Sequence, residues 1–221
     1  MIVEKRDVST KAEEFKSREE LILQCALDLF LEHGEEKVTV EMIADKASIG
    51  KGTVYKHFET KSEIFALLMI QYEKETSEIF QRINGDIENP AALARDYFRF
   101  RLSNPGKYAL FDRLEAVCVK EGKVDELLVE LHRIRSSNLD QIMGIINLRI
   151  SEGRLVDVPP AYHLGAAWAF VHGVVALYHS EFYKTLFDGD EAFLDYLMEV
   201  LLRLGNKDKL GAVTKGVELT R

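Results

Sequence analysis

Proline is scarce in this chain. It occurs only at positions 90, 105, 159 and 160 of 221 residues, so segments 1–89, 106–158 and 161–221 lack the residue that most reliably breaks helices. Strand signals are missing as well. The β-branched residues fall into helical stripes, and neither Asn84-Gly85 nor Asp188-Gly189 stands between alternating runs. The expected fold class is all-α. Cysteine is equally sparse: Cys25 and Cys118 sit in apolar periodic segments with no second Cys or His at ligand spacing. That argues against a disulfide framework or a zinc knuckle and for buried thiols in a reducing compartment. Positive charge is in deficit, with 29 Lys+Arg against 37 Asp+Glu and a net charge of −8. A surface coated in positive potential is excluded, and any contact with nucleic acid must be local.

The first twenty residues lack the apolar core of a secretory signal, so export is not expected. Val158 to Ser180 is 23 residues without Asp, Glu, Lys or Arg. Its opening Pro159-Pro160, its three histidines and its Gly and Ala content fit a helix buried between protein surfaces better than a membrane span. The expected location is cytoplasmic, without membrane contact. With 47 % apolar residues, a chain of this size buries roughly 70 % of its unfolded surface.

About nine helices are expected. Ser17 with Glu20 reads as a capping box opening the first, whose stripe Leu21, Ile22, Cys25, Ala26, Leu29 and Phe30 runs to Gly34. A short helix follows Thr39, with Val40, Ile43, Ala44 and Ala47 at the spacing of one face. After a break at Ser48-Ile49-Gly50 comes a third, bearing Val54, Tyr55 and Phe58. Thr60 and Glu63 form another capping box, opening a fourth helix to about Ile83. Five more are read at about 91–103, 106–120, 124–152, 161–184 and 190–204. Asn89-Pro90 and Asn104-Pro105 are N-caps followed by proline at the first helical position. The domains read as 1–60, 61–205 and a flexible tail, 206–221.

Residues 39–58 give a short helix, a tight turn and a second short helix behind a longer one, the layout of a helix-turn-helix. A major groove about 12 Å wide admits one helix, whose outward side chains then meet phosphates and base edges. Lys46, Lys51, Lys56 and Lys61, with Thr53 and His57, lie in a stretch whose only acid is Glu59, a net +3 over residues 46–61. Residues 1–60 as a whole carry 9 basic against 13 acidic residues, so the patch stands out. A lysine cluster is ordinarily a solvated face; the short-helix geometry argues otherwise here. Ile49, Val54 and Phe58 should lock the third helix against Leu29, Phe30, Ile43 and Ala47. Tyr55 is either core or a rim residue whose hydroxyl reaches a phosphate. Gly50 and Gly52 either form the turn or let the backbone approach DNA closely.

The run Ile43-Ala44-Asp45-Lys46-Ala47-Ser48-Ile49-Gly50-Lys51-Gly52-Thr53-Val54-Tyr55-Lys56-His57-Phe58, followed by Lys61, resembles the DNA-binding signature of the TetR family of bacterial transcriptional regulators. The resemblance runs from Ala26 and Phe30 through Gly34 and Thr39 to Phe65. It departs at the turn, where Ser48 replaces the family's usual Gly, and at the recognition-helix N-cap, where Gly50 replaces Ser. What it implies is a helix from near Lys51 entering the major groove, with Thr53 and Lys56 facing DNA and Tyr55, His57 and Lys61 on phosphates. With Thr39, Lys51 and Gly52 these complete the expected DNA-binding set. It also implies a homodimer joined by the last two helices and a small effector that alters the spacing of two recognition helices.

From the residues themselves, the small stripe Gly165, Ala169 and Gly173 allows close helix approach. Paired with Phe193, Leu194, Leu197, Leu201 and Leu204 it is the candidate dimer surface, intrachain packing being the alternative. Aromatics between 91 and 184 suggest an effector pocket at Phe100, Phe111, Leu114, Trp168 and His172, for an apolar or aromatic molecule; plain core packing is the alternative. His172 and His179 lack a third ligand, and His132 and His163 fare no better, so no metal is expected. No cofactor is expected either, since no phosphate loop, nucleophile elbow or base-plus-nucleophile pair occurs. The chain therefore reads as a ligand-responsive repressor of a double-stranded operator rather than an enzyme. The competing reading is an all-α interaction or carrier protein that never touches DNA.

Overall fold

Thirty-one residues without proline or glycine form α1 (Val3–His33). The computed structural model describes residues 3–83, 90–187 and 191–207. α1 begins well before Ser17, so Ser17 and Glu20 lie inside the helix and not at its head. The stretch ahead of them carries three Lys and three Glu, good helix formers with nothing to stop them. Gly34, at φ +83°, ends α1, its N–H donating to the Phe30 carbonyl at 3.0 Å.

Ten helical segments occur among the described residues: α2 (Val40–Lys46), α3 (Lys51–His57), α4 (Lys61–Ile83), α5 (Pro90–Ser103), α6 (Pro105–Glu121), α7 (Asp125–Ser151), α8 (Pro160–His179), α9 (Lys184–Phe187) and α10 (Glu191–Arg203) complete the series. Extended pairing is limited, among those residues, to one bridge between Leu155 and Asn206. Prolines 90, 105 and 160 each open a helix, as their fixed φ and missing N–H favour. At α4 the Thr60 hydroxyl accepts the Glu63 N–H at 3.2 Å, while the Glu63 carboxylate reaches past Thr60 to the Glu59 N–H at 2.7 Å. The expected helix over 161–184 stops at His179: Ser180 turns to extended backbone and its hydroxyl accepts the Tyr183 N–H. The turns at 84–86 and 188–189 lie outside the described residues, as does the tail beyond Lys207.

The chain divides into two compact units, Met1–Glu73 with Gly106–His132 and Lys74–Pro105 with Arg133–Arg221. α6 thus groups with the N-terminal helices. In the first unit Ile22, Ala26 and Phe30 of α1, Ile43 of α2, Val54 of α3 and Phe58 just past its end, Ile64 and Phe65 of α4, and Leu114 and Cys118 of α6 are buried. Phe30 meets Phe65 edge to face at 5.1 Å. Burial pushes the Cys118 thiol up to about 11, and Sγ donates to the Ser62 carbonyl, so it is a packing residue and not a nucleophile. In the second unit Phe80, Phe98, Ile134, Val171, Val174, Val175, Leu197 and Met198 form the core. There Gly205, at φ +74°, passes so close to His163 that an added Cβ would sit 2.3 Å from its Nδ1. His163 Nε2 is bonded to the Val156 carbonyl at 2.9 Å, a structural histidine. No described helix is long and apolar enough to cross a membrane.

Candidate nucleic-acid interface

Three short-range devices build the reader. Thr39 caps α2, its hydroxyl accepting the Met42 N–H at 3.3 Å. The turn then passes through Ser48 at φ +55°, with the Ile49 N–H donating to the Ala44 carbonyl at 3.0 Å. Gly50 caps α3 through its backbone carbonyl alone. Val54 and Phe58, each 1 % exposed, turn inward where α3 packs on α2, whose Ile43 is buried, and Ile49 is half-buried.

Serine in the left-handed region costs about 1–2 kcal/mol, whereas glycine's extra freedom in the unfolded chain costs about 0.4–1 kcal/mol. The first exceeds the second. Ser48→Gly is therefore expected to stabilise the protein by about 0.5 kcal/mol, read as a higher urea midpoint at unchanged slope.

Opposite Val54, α3 turns Lys51, Gly52, Tyr55 and Lys56 outward, all exposed. At 100° per residue they occupy an arc of about 140°, the width of one helix face. Tyr55 is thus a rim residue, with the Lys51 ammonium 5.8 Å from its ring centroid. Gly52 has φ outside the left-handed region, and an added Cβ would meet nothing within 4 Å. The fold itself gives no steric reason for glycine there. Thr53 is half-buried at the edge of the arc.

The lysines are less free than their number suggests. Lys51 pairs with Glu41 of α2, which holds the Glu41 carboxyl below the usual carboxylate range and raises the lysine. Lys46 pairs with Asp28 of α1 at 3.5 Å. Lys61 turns away from α3: its ammonium donates to the Glu35 carbonyl at 2.8 Å and the Val38 carbonyl at 3.2 Å, and lies 5.4 Å from the Phe65 centroid. A lysine at a helix N-terminus opposes the helix dipole, and these two carbonyls past the end of α1 compensate it. Lys56 alone of the four has no ion pair or hydrogen bond among the described residues. The His57 ring packs on Phe15 with centroids 4.0 Å apart, and its buried Nδ1 has no partner there.

Sequence reasoning missed three groups. Phe15 lies ahead of the expected start of α1. Glu35, 8 % exposed, receives Arg113 Nε and Nη2 at 2.9 and 3.2 Å, and this fork holds its carboxyl low. Glu121 of α6 accepts the Ser62 hydroxyl at the head of α4. These partners are 78 and 59 residues apart, beyond any local pattern.

Residues 22–68 match the family model described as bacterial regulatory proteins, tetR family. The segment from Ile22 to Leu68 is similar to that family's DNA-binding region. The chain is 36 % identical over 80 residues to the probable acrEF/envCD operon repressor of Escherichia coli K12, spanning 36 % of each chain. It is 25 % identical over 190 residues to the uncharacterized regulator YdeS of Bacillus subtilis, spanning 82 % of this chain and 84 % of that one. A tetR-family regulatory protein from Rhodococcus RHA1 superposes with a TM-score of 0.69 over 86 % of this chain and 97 % of its own, at 16 % identity, a likeness of fold. The family segment coincides with the reader, and the lower similarity beyond it leaves the remaining sites to be judged from this chain's own geometry.

On that geometry, Gly165, Ala169 and Gly173 are exposed along α8. Leu197 is buried and Leu201 half-buried within the second unit, where α10 packs on α5; α10 turns Tyr196 and Leu202 outward instead. Of the five pocket candidates, Phe111 and Leu114 are buried in the first unit, Phe111 against Tyr72 at 4.8 Å. Phe100, Trp168 and His172 lie in the second, with the Trp168 and His172 rings 5.7 Å apart.

Proposed function

We propose that this chain is a regulator of the TetR family, a cytoplasmic, dimeric repressor that binds a pseudo-palindromic operator and is released by a small molecule. The carrying observation is the outward arc of Lys51, Gly52, Tyr55 and Lys56 on a helix seated from behind by Val54 and Phe58. Such a helix presents side chains, and at Gly52 bare backbone, to a groove. Phosphate contacts from Tyr55, and from His57 and Thr39 at the edges, would fix its register. The exposed small residues on α8 support self-association, which a reader this small needs for two half-sites. The reader is assigned to 1–60 and effector binding with dimerisation to 61–205. An apolar or aromatic effector fits the rings at Phe100, Trp168 and His172. Because the first relatives align over about a third of their length, these roles are inferences for this chain.

The test is fluorescence anisotropy with a duplex from the gene's own upstream region and a scrambled duplex of equal length. Tighter binding of the upstream duplex, by two protomers, is expected; equal binding would remove the reading. Gly52→Ala separates the two explanations of that glycine. It should raise stability by up to about 1 kcal/mol, from helix propensity, while weakening upstream binding at least roughly tenfold, the cost of about one lost close contact. Unchanged binding would make Gly52 a residue of the fold alone.

A further inference from the structure

The lysines that would meet DNA are not presented bare. Lys51, at the start of the reading helix, is engaged by Glu41, and Lys46, at the end of the preceding helix, by Asp28. Both carboxylates come from elements packed beside the reader, since α2 contacts both α1 and α3. Glu41 stands in the first turn of α2, where the helix dipole favours a carboxylate. Asp28 is fixed further by Gln24, whose side-chain amide donates to it at 2.8 Å. Each acid is thus held where it meets a lysine, and Lys56 alone is left unguarded.

Binding to arbitrary DNA is driven by lysines displacing counterions from phosphates. A lysine already matched to a carboxylate releases little on contact, and the carboxylate itself repels phosphates within a screening length of about 8–10 Å. On an operator the balance differs. Base-edge contacts add to the electrostatic ones, and a lysine already held in one direction loses less freedom when it makes them.

Resting on the DNA-binding reading above, we propose that Glu41 and Asp28 are specificity-determining residues, carboxylate guards that hold Lys51 and Lys46 back from the phosphates of arbitrary DNA. Their removal costs discrimination and increases binding overall.

The test uses the full-length protein with Glu41→Gln, Asp28→Asn and the double variant, against a random-sequence duplex and the upstream duplex, at salt concentrations from about 50 to 200 mM. Each substitution is expected to tighten random-duplex binding roughly threefold, the upper range for an exposed pair. The salt slope should steepen by about 0.9 for each lysine freed, and the preference for the upstream duplex should fall. Glu36→Gln removes one exposed acid from the turn between α1 and α2 that has no ion pair among the described residues; it should change little, separating guarding from mere loss of negative charge. Lys51→Gln in the Glu41→Gln background should abolish the gain. Unchanged random-duplex affinity and slope in Glu41→Gln, or an equal gain in Glu36→Gln, would overturn the proposal. A wild-type protein that binds both duplexes equally would instead remove the operator-binding reading, while the random-duplex measurements still decide whether the guards act.

Discussion

Replacing Arg113 by Met is expected to lower the unfolding free energy by about 2 kcal/mol at neutral pH. Glu35 is the reason: the residue is 8 % exposed and its carboxylate receives both prongs of the Arg113 guanidinium. Without that partner a charge is left in a poorly solvated place, which costs about 3–5 kcal/mol when burial is complete. Arg113 is 54 % exposed, so water and salt already screen the pair and the smaller figure applies. The pH dependence has a definite sign. Arg113 holds the Glu35 carboxyl below its usual value. Stability from the pair is therefore fully present above the unfolded carboxyl value of about 4.3 and is lost as pH falls through the lower folded value. Urea titrations of wild type and Arg113→Met should differ by a constant amount above about pH 5 and converge toward acid. A gap that persisted at low pH would mean that Arg113 acts through packing of its stem and not through charge. Glu35→Gln should cost less than Arg113→Met, because a neutral amide tolerates the site better than an unpaired carboxylate.

The same residue shows what a linear reading can and cannot deliver. Val54 and Phe58 were legible because apolar spacing on a short helix has one solution, and Thr60 with Glu63 because a cap is decided within four residues. Ser48 stood out only because the resemblance puts a glycine at that turn, and the structure gives it a positive φ. Ser17 misled: a capping sequence marks a helix start only if the preceding residues are not themselves helical, and here they are. Leu197 and Leu201 illustrate a second limit, since an apolar stripe announces burial without naming the partner, and α10 spends it on its own unit. Phe111 and Leu114 were grouped with Trp168 by composition, yet they are buried in the first unit and Trp168 lies in the second. Pairings such as Glu35 with Arg113 or Lys51 with Glu41 are set by tertiary placement, so charge counting alone overstated the free cations.

That overstatement fixes the second large effect, the response of DNA binding to salt. Counting lysines in the sequence gives about six phosphates for a dimer and an affinity loss of roughly 10³ between about 50 and 200 mM salt. The engaged ammonium of Lys61 changes the expectation. A lysine that donates to the Glu35 and Val38 carbonyls while covering Phe65 loses those contacts if it swings to a phosphate. Lys51 is likewise engaged by Glu41, so Lys56 alone, with two contacts per dimer, sets a slope of about −1.8 and a loss of roughly tenfold over the same range. Two variants separate the cases. Lys56→Ala should flatten the slope by about 1.8, because a dimer loses two contacts, and should alter which duplex is preferred if its base-reading role holds. Lys61→Ala should leave the slope unchanged yet lower stability by about 1 kcal/mol, the net worth of hydrogen bonds to buried carbonyls. A slope that flattened equally in both variants would return Lys61 to the phosphates and mean that the loop at 34–39 releases it when DNA arrives.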